Sequence, residues 1–344
     1  MTDRTTQSDT PRPTAWYTRQ DASLEEFLQS LAGETRMDDV PHAFDIQNNI
    51  PIYRASDLRE VFAEQDGRQS VLAEMAGVLL NGAGTFVIQN AYPDTSIIDA
   101  ASDIYNRIIA REKNSGGGGD HFAKAGANDR VWNSMQKLCE ADPAVFIRYY
   151  GNDMVNLVHP GGEAQEAHRD YHLGFLASER AAQYPPHLHH MSAALTLQGA
   201  VAHCDMSIES GPTKLLPFSQ RYGAGYVAYT RPDFRTEFEK RFVQLALKKG
   251  DLLFFSPALY HAAGPNRTTD TERMANLLQV SSAFGQPMET IDRTAMCKRI
   301  YPVLQNAREN ADLSAEEIEN AVTCAADGYS FPTSLDNDPP TGGL

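Results

Sequence analysis

The spacing of apolar residues predicts a mainly helical first part of the chain. Leu24, Phe27, Leu28 and Leu31 recur at the i, i+3, i+4 and i+7 positions of one helix face. A helix is therefore predicted over residues 21–32. Further helices are predicted over 58–80 and 97–111, and a strand over 85–88.

From residue 144 onward, short apolar runs alternate with turns that contain Gly, Pro or polar residues. Strands are predicted over 145–150, 154–159, 191–201, 214–217, 243–247, 251–255 and 276–281. Such a series favours an all-β barrel or jelly roll over a series of βαβ units. After Ile300 the pattern becomes helical again, and Ser314 followed by Glu317 indicates a capping box.

The chain is predicted to form a single catalytic domain over residues 21–330, with helical additions at both ends. Residues 1–20 and 331–344 are rich in polar residues, Pro and Gly, so both are expected to be irregular tails. The first residues lack the apolar stretch of a secretory signal, and the four cysteines lie far apart in the sequence. A cytoplasmic protein with reduced thiols is the expectation.

The formal net charge is −15, which argues against binding to nucleic acids or anionic membranes. No apolar run is long enough for a membrane-spanning helix. An anionic small molecule remains compatible with this charge, because a single arginine in a cleft can dominate the local field. A small-molecule substrate is therefore expected, and the pattern predicts no oligomeric state.

One short segment combines an imidazole and a carboxylate at the spacing of a metal site. His168 and Asp170 are two residues apart, so on an extended chain both side chains point to the same face. A third ligand is expected from His261, which follows the strongly apolar stretch 250–260. Two histidines and one carboxylate are the set that non-haem iron(II) oxygenases use, with positions left open for other ligands.

An open iron(II) site of this kind can chelate a 2-oxo acid and bind dioxygen. The far carboxylate of the 2-oxo acid then needs a cation, for which Arg273 is the candidate and Arg267 the rival. Gln165 and Asn156 are candidates for hydrogen bonds to the co-substrate, although polar residues that merely line a barrel are an equal interpretation.

Residues 250–281 resemble the distal metal-ligand region of the phytanoyl-CoA dioxygenase family. His261, Gly264, Asn266 and Arg273 match the family pattern, and the resemblance extends over about residues 80–285. The turn 209–220 is similar to a second family motif. It departs from that motif at Phe218 and Gln220, where the family usually has Gly and His.

The resemblance implies a double-stranded β-helix, or cupin-like jelly roll, with flanking α-helices, α+β overall. It implies Fe(II), 2-oxoglutarate and dioxygen (O2) as cofactor and co-substrates. Succinate, carbon dioxide and a hydroxylated metabolite would be the products. Related halogenases have Gly or Ala in place of the metal carboxylate, so Asp170 favours hydroxylation.

Other groups in the sequence are given structural interpretations. The cluster of His187, His189 and His190 follows two prolines and is predicted to lie in a solvated loop, and the second H-x-D pair, His203 and Asp205, is predicted not to bind metal. Arg169 is expected to point away from the metal. The four glycines at 116–119 indicate a flexible loop. Lys124, Arg130 and Asn133 are weaker candidates for substrate contacts.

Two other classes of function are compatible with the same triad. One is a cupin-type hydrolase or isomerase that uses zinc or manganese. The other is a non-catalytic sensor of iron or 2-oxoglutarate. Arg273 favours the oxygenase, and turnover of any substrate would exclude the sensor.

Overall fold

The computed structural model describes residues 16–115, 127–150, 154–172, 174, 176–282, 284–285 and 290–326. The glycine run 116–119, Lys124, the tail 331–344 and most of the tail 1–20 lie outside the described residues. The helices of the described part are α1 (Leu24–Ser30), α2 (Ala55–Phe62), α3 (Gln65–Leu80), α4 (Ser96–Asn114), α5 (Ser134–Ala141), α6 (Pro143–Tyr149), α7 (Ser178–Ala181), α8 (Pro186–Ala194), α9 (Gly225–Ala228), α10 (Pro232–Arg241), α11 (Arg293–Glu309) and α12 (Ala315–Ala326). Its strands are β1 (Asp45–Gln47), β2 (Ile50–Arg54), β3 (Thr85–Gln89), β4 (Asn128–Trp132), β5 (Met154–Val158), β6 (Thr196–Ala202), β7 (Lys214–Leu215), β8 (Leu252–Phe255), β9 (His261–Ala262) and β10 (Arg273–Ser281).

Eight of these strands form one large sheet in the order β1-β2-β3-β8-β6-β10-β5-β4. The β2–β3 pair is parallel and the other pairs are antiparallel. Because side chains alternate along a strand, Val155 and Leu157 of β5 face one side and Asn156 faces the other. Val155 and Leu157 belong to a hydrophobic cluster with residues of α4, α5, α6, α11 and α12. One face of the large sheet is therefore covered by helices.

A smaller sheet pairs β7 with β9. Single bridges extend it on both sides, from His168 to His261 and from Leu215 to Val243. Residues of both sheets line one cavity, so the two sheets face each other across it. Two facing, mainly antiparallel layers form the predicted jelly-roll core, and the helices make the protein α+β.

Two segments that were predicted as strands are wholly or partly helical. Residues 145–150 lie mostly in α6, because Asp142 accepts hydrogen bonds from the first free N–H groups of that helix and Pro143 occupies its first position. The first part of segment 191–201 belongs to α8, which Pro186 begins. The prediction of a solvated loop around His187, His189 and His190 is wrong for the same reason, and His189 is buried.

Most of the remaining predictions hold with small shifts in their limits, but the helical stretch predicted over 58–80 is divided into α2 and α3. The first helix, the strand at 85–88 and the helix over 97–111 are α1, β3 and α4. Segment 243–247 makes two isolated bridges instead of a regular strand. The Ser314 hydroxyl accepts from the Glu317 N–H, and the Glu317 carboxylate accepts from the Ser314 N–H, which confirms the capping box. None of the described helices has the length and apolar character needed to cross a bilayer.

The Asp142 cap can be tested by mutation. Asp142→Ala removes the acceptor for the Ala144 and Val145 N–H groups, which lie 3.0 and 3.2 Å from the carboxylate. The free energy of unfolding is expected to fall by about 1 kcal/mol, measured by urea denaturation. Asp142→Asn keeps a side-chain acceptor, so its free energy of unfolding should fall much less. Equal stability of the Ala and Asn variants would contradict the capping role.

Phe218 adopts a backbone conformation that favours glycine, at the position where the family pattern has one. Its φ is 68°, in the left-handed region. The side chain is nonetheless buried, and its ring lies where a Cβ on Gly33 would approach to 2.8 Å. The burial of an aromatic ring offsets the cost of this conformation, about 1–2 kcal/mol.

Candidate metal centre

The backbone brings His168 and His261 side by side. The His168 N–H donates to the His261 carbonyl at 3.0 Å, and the His261 N–H donates to the His168 carbonyl at 3.1 Å. This reciprocal pair joins residues directly opposite each other, so both imidazoles leave the same face, with ring centroids 4.3 Å apart. Asp170, two residues after His168, places its carboxylate next to the two imidazoles. One ligand atom from each of the three lies within 4.8 Å of the others.

Hydrogen bonds fix both imidazoles in the tautomer that a metal requires. The Nδ1 atoms of His168 and His261 lie 2.9 Å from the carbonyls of Glu166 and Leu259. Carbonyls only accept, so each Nδ1 carries the proton and each Nε2 carries the lone pair. The Nε2 atoms lie 3.7 Å (His168) and 3.5 Å (His261) from the two Asp170 oxygens.

These distances suit a shared cation. Neighbouring ligand atoms bound at roughly 2.1 Å to one ion lie roughly 3 Å apart, so a small contraction would complete the coordination. Asp170 Oδ1 is buried and has no hydrogen-bond partner among the described residues. The chain therefore provides two neutral nitrogen donors and an oxygen donor that needs a positive partner.

The protonation states also favour metal binding. Burial lowers the pKa of His168 to about 4, with a further contribution from His261. Burial alone would raise the pKa of Asp170, but interactions with the protonated forms of His261 and His168, together with the hydrogen bond from Gln198, outweigh it and lower that pKa to about 2. Neutral imidazole and ionised carboxylate are the forms that bind a cation.

Gln198 was not predicted from the sequence. Its Nε2 donates to Asp170 Oδ2, which holds the carboxylate in place. The residue is on β6 and is only 4% exposed. The sequence offers one signal for it, a polar residue inside an otherwise apolar strand. Nothing in the sequence alone indicates which side chain it contacts.

A cavity of about 580 Å³ extends from the triad over the open face of the large sheet. Gln198, Ala200 and Ala202 of β6 face into it, opposite Gln279, Leu277 and Ala275 of β10. Ala200, Ala202 and Ala275 have small side chains, so together they form a flat part of the cavity wall, which we call the floor. This floor lies between the Gln198–Gln279 pair and Arg273 along β10, and its small side chains leave room for a slender molecule.

Arg273 lines the same cavity and is only 6% exposed. Its Nη1 donates to the Gly264 carbonyl at 3.3 Å, and no acidic side chain of the described residues forms an ion pair with it. Burial lowers its pKa to about 10, so the guanidinium is still a cation at neutral pH. A buried cation is stabilised by an anionic partner, and a guanidinium fits a carboxylate.

The structure separates the remaining candidates. Gln165 and Asn156 both line the cavity, and so do Arg130 and Asn133. Gln165 Oε1 also accepts from the Ala263 N–H at 3.4 Å. Which of these contact a co-substrate stays a prediction. Arg267, the rival of Arg273, is exposed and does not line the cavity.

Neither the second H-x-D pair nor Arg169 contributes to this site. The His203 ring lies within hydrogen-bond distance of the hydroxyls of Ser102 and Tyr149. Asp205 instead pairs with Lys248 on the surface. The Arg169 guanidinium donates to backbone carbonyls at Ser219 and Tyr222, away from the metal ligands, as strand alternation predicts.

Residues 79–275 match the phytanoyl-CoA dioxygenase (PhyH) family. The chain belongs to this family. The match covers more than half of the chain and includes the three candidate ligands and Arg273. The resemblance seen in the sequence is thereby confirmed. Family membership and the His–Asp–His cluster also support the predicted cofactors, iron(II) and 2-oxoglutarate.

Similar proteins include the dioxygenase trt7 of Aspergillus terreus, which is 29% identical over 145 residues. That match covers 41% of this chain and 45% of the relative, so it spans less than half the length of either protein. A putative oxidoreductase from Salmonella typhimurium aligns structurally with a TM-score of 0.47 at 13% identity, covering 80% of this chain and 86% of the other. The epimerase SnoN from nogalamycin biosynthesis aligns with a TM-score of 0.42 at 15% identity, covering 64% and 84%.

Proposed function

We propose that this phytanoyl-CoA dioxygenase family member is an iron(II)- and 2-oxoglutarate-dependent hydroxylase of a small-molecule metabolite. The reaction would insert one oxygen atom of O2 into a C–H bond. The second oxygen atom would enter succinate, and the first carboxylate of 2-oxoglutarate would leave as carbon dioxide. The main support is the tautomer-fixed pair of histidines with Asp170, at one end of a cavity that has the buried cation Arg273 on its wall.

Each protein group would have a distinct task. His168, Asp170 and His261 would hold iron(II), which when bound would supply the activation of O2 coupled to decarboxylation of the 2-oxo acid. Gln198 would keep the Asp170 carboxylate oriented. Arg273 would bind the distal carboxylate of 2-oxoglutarate, and the floor of alanines would accommodate its carbon chain.

Hydroxylation is the proposed outcome because the Asp170 carboxylate lies close enough to the Nε2 atoms of both histidines to bind the same metal ion. A halide would need the coordination position that this carboxylate takes. The proposed partner is a small molecule, because a cavity of about 580 Å³ lies within the range of ~300–1,000 Å³ typical of small-molecule sites. The net charge of −15 supports the proposal that nucleic acids are not partners.

The proposal is tested by adding iron(II) and 2-oxoglutarate to the metal-free protein under nitrogen. A weak visible charge-transfer band should appear only when both are present, because the 2-oxo acid must chelate the metal. Iron binding without this band at saturating 2-oxoglutarate would contradict the proposed co-substrate. A band without succinate formation in air, across a broad substrate panel, would instead favour the sensor.

A further inference from the structure

The cavity contains buried amide oxygens that accept no hydrogen bond from the described residues. They belong to Gln198, Gln279, Asn156 and Asn128, all of which line the cavity. A buried acceptor without a donor costs about 1–3 kcal/mol. At these four positions the buried atom without a partner is an acceptor, which a ligand with O–H or N–H groups would satisfy.

The direction of the Gln198 amide is fixed by its neighbour. Its Nε2 donates to the Asp170 carboxylate, which can only accept, so Oε1 is the atom left for another partner. Gln279 lies directly opposite Gln198 in the β6–β10 register. Side chains at such positions have Cβ atoms about 4.5–5.5 Å apart and share one face. The two amides thus lie side by side, next to the metal ligands.

The 2-oxo acid cannot satisfy these oxygens, because its dianion has acceptors and no donors at neutral pH. It would also lie elsewhere in the cavity. The Cα atoms of Arg273 and Gln279, six positions apart on β10, are roughly 20 Å apart along the strand. The Arg273 guanidinium donates to the carbonyl of Gly264, three residues after the candidate ligand His261. The co-substrate would extend from the metal toward this guanidinium, on the side away from Gln279.

The surroundings of the paired glutamines are apolar. Leu277 is on the same strand and face as Gln279, Met154 lies opposite Leu277, and Trp132 lies opposite Met154. All three line the cavity. A ligand that contacts both the glutamines and this row would combine a donor group with a mainly hydrocarbon body.

We propose that Gln198 and Gln279 bind a hydroxyl or amino group of the substrate, close to the carbon that is oxidised. The substrate class is then an alcohol or amine with an apolar skeleton. This inference rests on the proposed function, because it places the substrate relative to iron(II) and 2-oxoglutarate. Gln198 and Gln279 would determine specificity, and Gln198 would in addition link the substrate to the Asp170 carboxylate.

The test compares the binding of cyclohexanol, cyclohexylamine and methoxycyclohexane. Trp132 lines the cavity and the chain has two tryptophans, so a Trp16→Phe protein reports binding through Trp132 fluorescence. Iron(II) and 2-oxoglutarate are present under nitrogen, and the visible charge-transfer band verifies that both are bound. The alcohol or the amine should bind at least about tenfold more tightly than the ether, which has no donor.

Variants at Gln279 test whether its amide causes the preference for the alcohol or the amine. Gln279 is chosen because, among the described residues, it forms no hydrogen bond with His168, Asp170 or His261. Gln279→Met should abolish the preference over the ether. Gln279→Glu should strengthen binding of the amine, which is a cation at neutral pH, but not of the neutral alcohol, which separates an ammonium from a hydroxyl ligand. Gln305→Met, on the exposed side of α11, is the matched control and should retain the preference.

The outcomes separate this inference from the proposed function. If the band forms and the ether binds as well as the alcohol and the amine, or if none of the three binds, the inference is overturned and the proposed function stands. The same holds if the preference survives Gln279→Met. If no band forms, the proposed function fails and the inference fails with it.

Discussion

Replacing His261 by alanine is expected to weaken iron(II) binding by at least about 100-fold and to remove the charge-transfer band with 2-oxoglutarate. Loss of a residue that only supports a metal ligand typically costs 10–100-fold in metal affinity, and a ligand itself should cost more. His261 Nε2 lies 3.5 Å from Asp170 Oδ2, so its loss leaves one imidazole and one carboxylate. Equilibrium dialysis of iron(II) under nitrogen measures the effect.

The matched control for this variant is His187→Ala. His187 is exposed on α8 and does not line the cavity, so removal of its imidazole should leave iron binding unchanged. Unchanged iron affinity in His261→Ala would contradict the proposed ligand set. An equal loss in both variants would indicate general damage to the protein. Melting temperatures of the metal-free variants distinguish damage from a specific effect.

The candidate metal ligands could be predicted from the sequence because their geometry is largely local. Strand alternation places His168 and Asp170 on one face whatever the rest of the fold does. His261 required a second pattern, an apolar strand that ends in histidine. Its pairing with His168 then depends on the jelly-roll topology, which the series of short strands and the family resemblance indicated.

Other features depend on contacts that the local pattern does not encode. Residues 145–150 have the apolar, β-branched composition of a strand, but the carboxylate of Asp142 and the ring of Pro143 make them helical. Pro186 was interpreted as part of a loop and instead occupies the first turn of α8, where a missing N–H costs nothing. Proline marks both a loop and a helix start, and tertiary packing decides between them.

Gln198 shows the limit of sequence reasoning for the site itself. Its contact with Asp170 joins residues 28 positions apart on different elements, and its pairing with Gln279 depends on the β6–β10 register. A shift of one residue in that register would turn one of the two amides away from the cavity. The polar wall that underlies the proposed substrate class is therefore visible only in the folded protein.

Arg273→Ala is expected to raise the dissociation constant of 2-oxoglutarate about 100-fold while leaving iron(II) affinity unchanged. Removing one partner of a buried, hydrogen-bonded charge pair costs 2–5 kcal/mol or more, and each 1.4 kcal/mol is tenfold. Arg273→Lys keeps the charge but loses the two parallel N–H donors of the guanidinium, so an intermediate loss of affinity for 2-oxoglutarate is expected. The strength of the charge-transfer band against 2-oxoglutarate concentration measures each constant.

A second ligand makes this prediction specific to the distal carboxylate. 2-Oxobutanoate keeps the 2-oxo acid group that chelates iron(II) and lacks the carboxylate that Arg273 would bind. The wild-type protein should therefore prefer 2-oxoglutarate strongly, whereas Arg273→Ala should bind both acids with similar affinity. Such a cycle isolates the pairwise interaction from general effects of the mutation.

Arg267→Ala tests the rival assignment with the same two acids. Arg267 is exposed and does not line the cavity, so its removal should leave the preference for 2-oxoglutarate intact. If the preference is lost in Arg267→Ala and kept in Arg273→Ala, the two arginines have been assigned the wrong way round. If both variants keep it, neither guanidinium binds the distal carboxylate. The buried charge of Arg273 would then have to be balanced by a different anion. An anionic group of the substrate would be the first candidate for that partner.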